Sequence, residues 1–195
     1  MKRTRWIFIL IGIWLGFTVY QTMFRRPADT PEPVTPTAEP AAVTPSPDIP
    51  GEVWYTEEDI AALEHTELFY KSTLEHIFYG EVNSKGNGSG YHYDRVENTP
   101  GSIVEGTRTE EDRYGVYTAK VVVDGAPKTG NKGYSSFFPD ELSPQEVIDA
   151  VNQAYENMER LSGDLYAGLC DAGFEIDIVI DDDGKIITAY PVKEE

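Results

Sequence analysis

From Val53 onward the spacing of apolar residues changes several times, and each change predicts a different element. Thr56-Glu57-Glu58-Asp59 pairs an acceptor side chain with a carboxylate three residues on, the pattern of a helix start. It opens a helical stretch through Ile60, Leu63 and Leu68, and a second helical run carries Leu74, Ile77 and Phe78. A glycine-rich break over residues 83–90 ends that pattern. Strands are predicted over 102–107 and, more strongly, over the β-branched stretch 115–123, with Asp124-Gly125 as a turn. Ser143, Pro144 and Glu146 then start a helix whose Val147, Ile148, Val151, Tyr155 and Met158 share one face. Residues 174–180 alternate apolar and acidic, 181–184 form a turn and 185–192 return, placing Thr188 and Tyr190 on one face of the last strand. Helices, strands, helix, strands, with no repeating βαβ unit, predict an α+β fold with antiparallel sheets.

The N-terminal part follows other rules. Residues 6–24 are free of charge over 19 positions, enough for one helix across a hydrocarbon core, with Trp6 and Tyr20 suited to its interfaces. A cleaved signal peptide is the rival, but no small-x-small site follows, so the expectation is an uncleaved N-terminal membrane anchor over 1–26. Lys2, Arg3, Arg5 and the amino group outweigh Arg25 and Arg26, which favours a single-pass protein of the cell membrane with its C-terminal domain extracellular. Cleavage of the N-terminus would give a secreted form. Residues 27–52 hold eight of the thirteen prolines and predict an extended stalk, leaving 53–195 as the folded domain.

Charge narrows the function. The chain carries a net charge of −18, and beyond residue 26 there are 11 basic and 34 acidic residues. Such a body repels polyanions at long range, which excludes a non-specific nucleic-acid coat but not a cleft that captures a few nucleotides. The lone Cys170 excludes an intrachain disulfide and a multi-cysteine metal site, and predicts a buried small residue. His76 and His92 are the candidate proton-transfer groups, sixteen residues apart across the glycine-rich break. His65 reads as a solvated helix residue. Lys132, flanked by glycine and followed by Tyr134, Ser135, Ser136 and two phenylalanines, is a candidate phosphate-holding cation. The two histidines lack the helical spacing and the further ligands of a zinc site, and Asp181-Asp182-Asp183-Gly184 lacks the ligand ladder of a calcium loop. No serine or cysteine sits in a nucleophile elbow, and the glycines at 86, 88 and 90 lack Walker spacing.

Taken in order, His-Ile-Phe-Tyr-Gly-Glu from residue 76, the glycine-rich break, Gly-Tyr-His ending at 92, Lys-Gly-Tyr-Ser-Ser-Phe-Phe-Pro from 132 and Ile-Thr-Ala-Tyr-Pro from 187 resemble the bacterial EndoU nucleases over about residues 70–192. The resemblance implies an RNase-A-like α+β fold, with two antiparallel sheets around a cleft. It implies cleavage of RNA near uridine by attack of the ribose 2′-hydroxyl, giving 2′,3′-cyclic phosphate and 5′-hydroxyl ends. By the same resemblance His92 is the base, His76 the acid and Lys132 the cation, with Lys128 as the rival of Lys132. Thr188 and Tyr190 recognise the pyrimidine and position the sugar, and Ser136 assists at the base. No cofactor is obligatory, and stimulation by Mn2+ is left open. The implied partners are RNA and, for a toxin, a tight-binding immunity protein; a surface nuclease is the other role. The alternative function is a non-catalytic extracellular binding or sensor domain on an EndoU-like fold, against which the intact set of site residues argues.

Overall fold

A computed structural model describes residues 53–195. Helix α1 (Glu57–Ala61) starts on Thr56, whose side chain accepts from the Asp59 amide while Asp59 reaches back, so the capping box forms as the sequence predicts. His65 lies beyond the helix instead of on it, exposed and with a left-handed φ of 57°. Helix α2 (Lys71–Phe78) buries Thr73, Ile77 and Phe78. The glycine-rich break is a short hairpin of β1 (Glu81–Val82) and β2 (Gly88–Ser89), turned by Asn83, whose side chain accepts from the Lys85 and Asn87 amides.

Strand β3 (Gly101–Ile103) pairs with β4 (Tyr117–Val123), which also pairs with β5 (Ala126–Pro127) and β6 (Tyr134–Phe137), all antiparallel. Alternation along β4 buries Tyr117, Ala119, Val121 and Val123, which pack with Tyr91 and Phe137 into one apolar cluster. Between β5 and β6 lies a 3-10 turn, Gly130–Gly133, in which Asn131 and Lys132 take left-handed backbone angles.

Helix α3 (Pro144–Asn157) carries the second predicted capping box, Ser143 with Glu146. Its buried face, including Val147, Ile148, Val151 and Ala154, forms the main core with Ile176, Ile178, Ile186 and Ala189. These come from a second antiparallel sheet ordered β10-β9-β8-β7: β7 (Glu159–Ser162), β8 (Leu165–Leu169), β9 (Glu175–Ile180) and β10 (Ile186–Pro191). Gly168 lets β8 pass against the helix, because a Cβ there would collide with the Ala154 carbonyl. Thr73 donates to the Ile186 carbonyl at 2.5 Å and to that of Ile187 at 3.2 Å, tying α2 to β10. Cys170 is buried in the main core. The α+β class and two antiparallel sheets match the expectation.

The membrane part of the expectation does not survive. Among the described residues no helix is long and apolar enough to cross a membrane. The longest, α3, has 14 residues, about 21 Å at ~1.5 Å per residue against a hydrocarbon core of roughly 30 Å. The fold class is corrected accordingly: an N-terminal transmembrane helix, a membrane partner and a single-pass cell-membrane location are withdrawn. The apolar run on which they rested, residues 6–24, and the proline-rich stretch 27–52 lie outside the described residues.

Candidate active site

Two histidines far apart in sequence meet because a helix end needs partners. The last carbonyls of a helix have no intrahelical donors. In α2, the carbonyl of His76 accepts from the Tyr91 amide and that of Ile77 from the His92 amide, each at 2.8 Å. The hairpin therefore folds back and pairs with the helix that carries His76. Gly90 makes the crossing possible: its φ is +73°, and a Cβ would overlap the His76 carbonyl oxygen. The two imidazole centroids end up 5.6 Å apart.

The rings are held differently. His92 is 4% exposed, and its Nδ1–H donates to the Ser136 carbonyl at 2.8 Å. A carbonyl only accepts, so the proton sits on Nδ1 and Nε2 keeps its lone pair. Burial first, and then the positive charge of Lys128 and the neighbouring His76, push the His92 pKa well below its usual value, leaving the ring neutral. Tyr190 stacks on it with centroids 5.4 Å apart and 21° between planes, and Tyr190 stands opposite Asp177 in the β9–β10 pair.

His76 is oriented by Glu81, whose carboxylate oxygens lie 2.9 and 3.0 Å from Nδ1. Burial raises the Glu81 carboxyl, but bonds from His76 and Ser89 and the charge of Lys128 outweigh it and hold it below the usual range. The ionised carboxylate accepts from Nδ1–H, so Nε2 is the atom left to exchange a proton with a substrate.

The cation beside this pair is Lys128. Its ammonium donates to Ser135 Oγ at 2.6 Å and to the Gly90 carbonyl at 3.4 Å, and Ser135 Oγ donates on to Gly90 O at 2.8 Å. Burial lowers the Lys128 pKa to about 8, with Glu81 opposing. Lys132 is exposed on the left-handed turn, and its side chain makes no hydrogen bond or ion pair among the described residues. Ser136 enters through its backbone carbonyl. Thr188 Oγ1 is buried with no hydrogen-bond partner, a vacant donor and acceptor on the face of β10 that carries Tyr190.

Sequence reasoning missed Glu81, Ser135 and Asp177. Glu81 had a signal, since it closes the stretch that begins at His76. Asp177 had none, because its link to Tyr190 depends on strand register. Among the described residues no three His, Cys, Asp or Glu side chains group closely enough to hold a metal ion.

This arrangement of paired imidazoles and a half-buried lysine can be set beside known proteins. Residues 71–193 match the family described as bacterial EndoU nuclease. The chain belongs to that family. It is also 46% identical, over 136 residues, to a protein named "Toxin" from Bacillus cereus. That stretch is 70% of this chain and 25% of the relative, so the chain spans about a quarter of the relative's length. No solved structure gives a significant match. All the site residues described above lie within the span of that match.

Proposed function

We propose that this EndoU-family chain is an endoribonuclease that cleaves by internal attack of a ribose 2′-hydroxyl on the adjacent phosphate. The observation that carries the reading is geometric: His92 turns Nδ1 to the Ser136 carbonyl, which leaves Nε2 as the basic nitrogen, and its ring lies 5.6 Å, centroid to centroid, from that of His76. Nε2 takes the 2′-hydroxyl proton as the oxygen bonds to phosphorus. His76, fixed by Glu81 at Nδ1, delivers a proton from Nε2 to the departing 5′-oxygen. The products are a 2′,3′-cyclic phosphate and a 5′-hydroxyl. Lys128 faces the charge that gathers on the phosphorane oxygens, a position where a half-buried cation acts more strongly than a solvated one. Of the two lysines considered, its burial and its contacts with the Gly90–Ser135 corner favour it over Lys132.

Thr188 offers its vacant hydroxyl to a base edge, and the Tyr190 ring, stacked on His92, sets the wall against which a sugar packs. Both features suit a pyrimidine, and uridine is the proposed preference. No step runs through a metal. The name of the Bacillus cereus relative favours a toxin role, for which the producing cell would need a tight-binding inhibitor.

The test is incubation of the full chain with a uridine-containing RNA oligonucleotide, with product ends read by mass. Cyclic-phosphate ends from the wild type, absent with His92→Ala and His76→Ala, are the expected result. Intact RNA from a folded chain, or 5′-phosphate ends, would overturn the reading.

A further inference from the structure

A buried carboxylate outside the cleft is left unused by that chemistry. Asp140 follows β6 by three residues, and its side chain is 8% exposed. Oδ2 accepts from Arg95 Nη2 at 2.7 Å and from Arg108 Nη2 at 2.9 Å, and Oδ1 accepts from the Tyr117 hydroxyl at 3.0 Å. The three donors come from three segments: the one carrying His92, the loop before β4, and β4 itself. Tyr117 is fixed in turn by stacking on Phe137, with centroids 4.9 Å apart and planes within 2°. Arg108 lies over the Tyr117 ring at 3.6 Å.

The segment 91–95 is held on both sides. Toward α2, the Tyr91 and His92 amides bond the helix end. Toward β6 the links come at every second residue. Ser136 accepts from the His92 ring, the Phe138 amide donates to the His92 carbonyl at 2.9 Å, and Asp140 accepts from Arg95. The links from β6 and the three residues after it therefore run along segment 91–95 from the His92 imidazole to Arg95. Beside it, Asp94 accepts from the Tyr91 hydroxyl and faces Asp140, Arg108 and Arg95.

We propose that Asp140 is a positioning residue that seats the His92 imidazole, by anchoring segment 91–95 to β6 and β4. Its catalytic consequence rests on the nuclease reading above; its structural part does not. A carboxylate this buried, with three donors from different segments, fixes their relative placement as a neutral amide cannot. Without that charge the segment loosens, water reaches the His92 ring, and the desolvation that keeps the ring neutral weakens. The His92 pKa then climbs back toward the ordinary histidine value.

The experiment is Asp140→Asn in the full chain, read first by NMR titration of the three histidine rings and second by RNA cleavage. The expected result is an upward move of the His92 titration, with His65 unchanged, and a fall in kcat of about 10- to 100-fold with little change in KM. The acidic limb of the rate profile should move to higher pH in step with the NMR value. A merely structural role would lower thermal stability and leave the His92 titration where it was, which overturns the proposal. A moved titration with wild-type kcat overturns it too. If the wild type does not cut RNA, the nuclease reading fails, and the NMR titration alone still decides whether Asp140 seats His92. Should Asp140→Asn not fold, Tyr117→Phe removes one donor and keeps the stacked ring. A smaller shift in the same direction supports the proposal, and an unmoved His92 overturns it.

Discussion

At the scale of single residues, burial decides which groups can do chemistry. Lys128 and Lys132 differ by four positions, yet one is half-buried against Ser135 and the other is exposed on a turn. Lys128→Ala should therefore lower kcat by roughly 100- to 1,000-fold, the range for removing a donor aimed at developing charge. Lys132→Ala should stay within about 3-fold of wild type, as for a solvated charge. Steady-state kinetics on the two variants separates them, and the reverse order would return the cationic role to Lys132. Asp94 gives a second prediction. Burial first raises its carboxyl to about 6, the Tyr91 bond and both arginines opposing. A carboxyl raised in the folded state contributes stability that is present below its unfolded pKa and lost as pH climbs through the folded value. Asp94→Asn carries no such loss. Relative to wild type it should gain up to about 3 kcal/mol between about pH 4 and pH 7, since one pKa unit is worth ~1.4 kcal/mol. Urea unfolding of both proteins across that range checks the sign.

At the scale of elements, the sequence was legible wherever the cause was local. Both capping boxes and the buried face of α3 form as their spacing predicts, since each involves residues within a turn or two. Strand β7 was not legible: all four of its residues are exposed, so no alternation marks it. Strand β6 was hidden for another reason, because Gly133 and the hydroxyls before Phe137 read as a loop until β4 pairs with them. Lys132 drew attention in the sequence because it directly precedes Gly-Tyr-Ser-Ser, whereas the place of Lys128 depends on pairing. Only the return of β5 beside β4, with the Lys128 amide on the Val121 carbonyl, brings Lys128 near Ser135. The approach of the hairpin to α2 can be tested with two glycines. Gly86 and Gly90 have φ of +76° and +73°, but a Cβ at Gly86 meets open space while one at Gly90 meets His76. Gly86→Ala should cost about 1 kcal/mol from backbone strain alone. Gly90→Ala should cost more and abolish cleavage by parting the two imidazoles. Equal losses of stability and activity in both variants would mean the crossing does not set the site.

At the scale of the whole molecule, the charge runs against the proposed substrate. The chain carries a net −18, and past residue 26 acidic residues outnumber basic ones about three to one. A protein that grips single-stranded RNA through Z cations loses affinity with salt at a slope of about −0.7Z. One half-buried lysine at the site implies Z near ~1, so its contribution across a tenfold rise in salt is only about 5-fold. Long-range repulsion acts the other way, because salt screens it over a Debye length of ~10 Å at 0.1 M. Between about 20 and 200 mM NaCl, kcat/KM on a short uridine-containing RNA should therefore stay flat or rise. A steep fall, of about 100-fold or more over that range, would require several phosphate contacts that the site does not display, and would place the RNA on a basic surface elsewhere. The same balance predicts length dependence. Repulsion from the acidic body grows with the number of phosphates outside the cleft, so at low salt a short oligonucleotide should be cut more efficiently per site than a long single strand. Raising the salt should close that gap, since it screens distant phosphates more than the one held against Lys128.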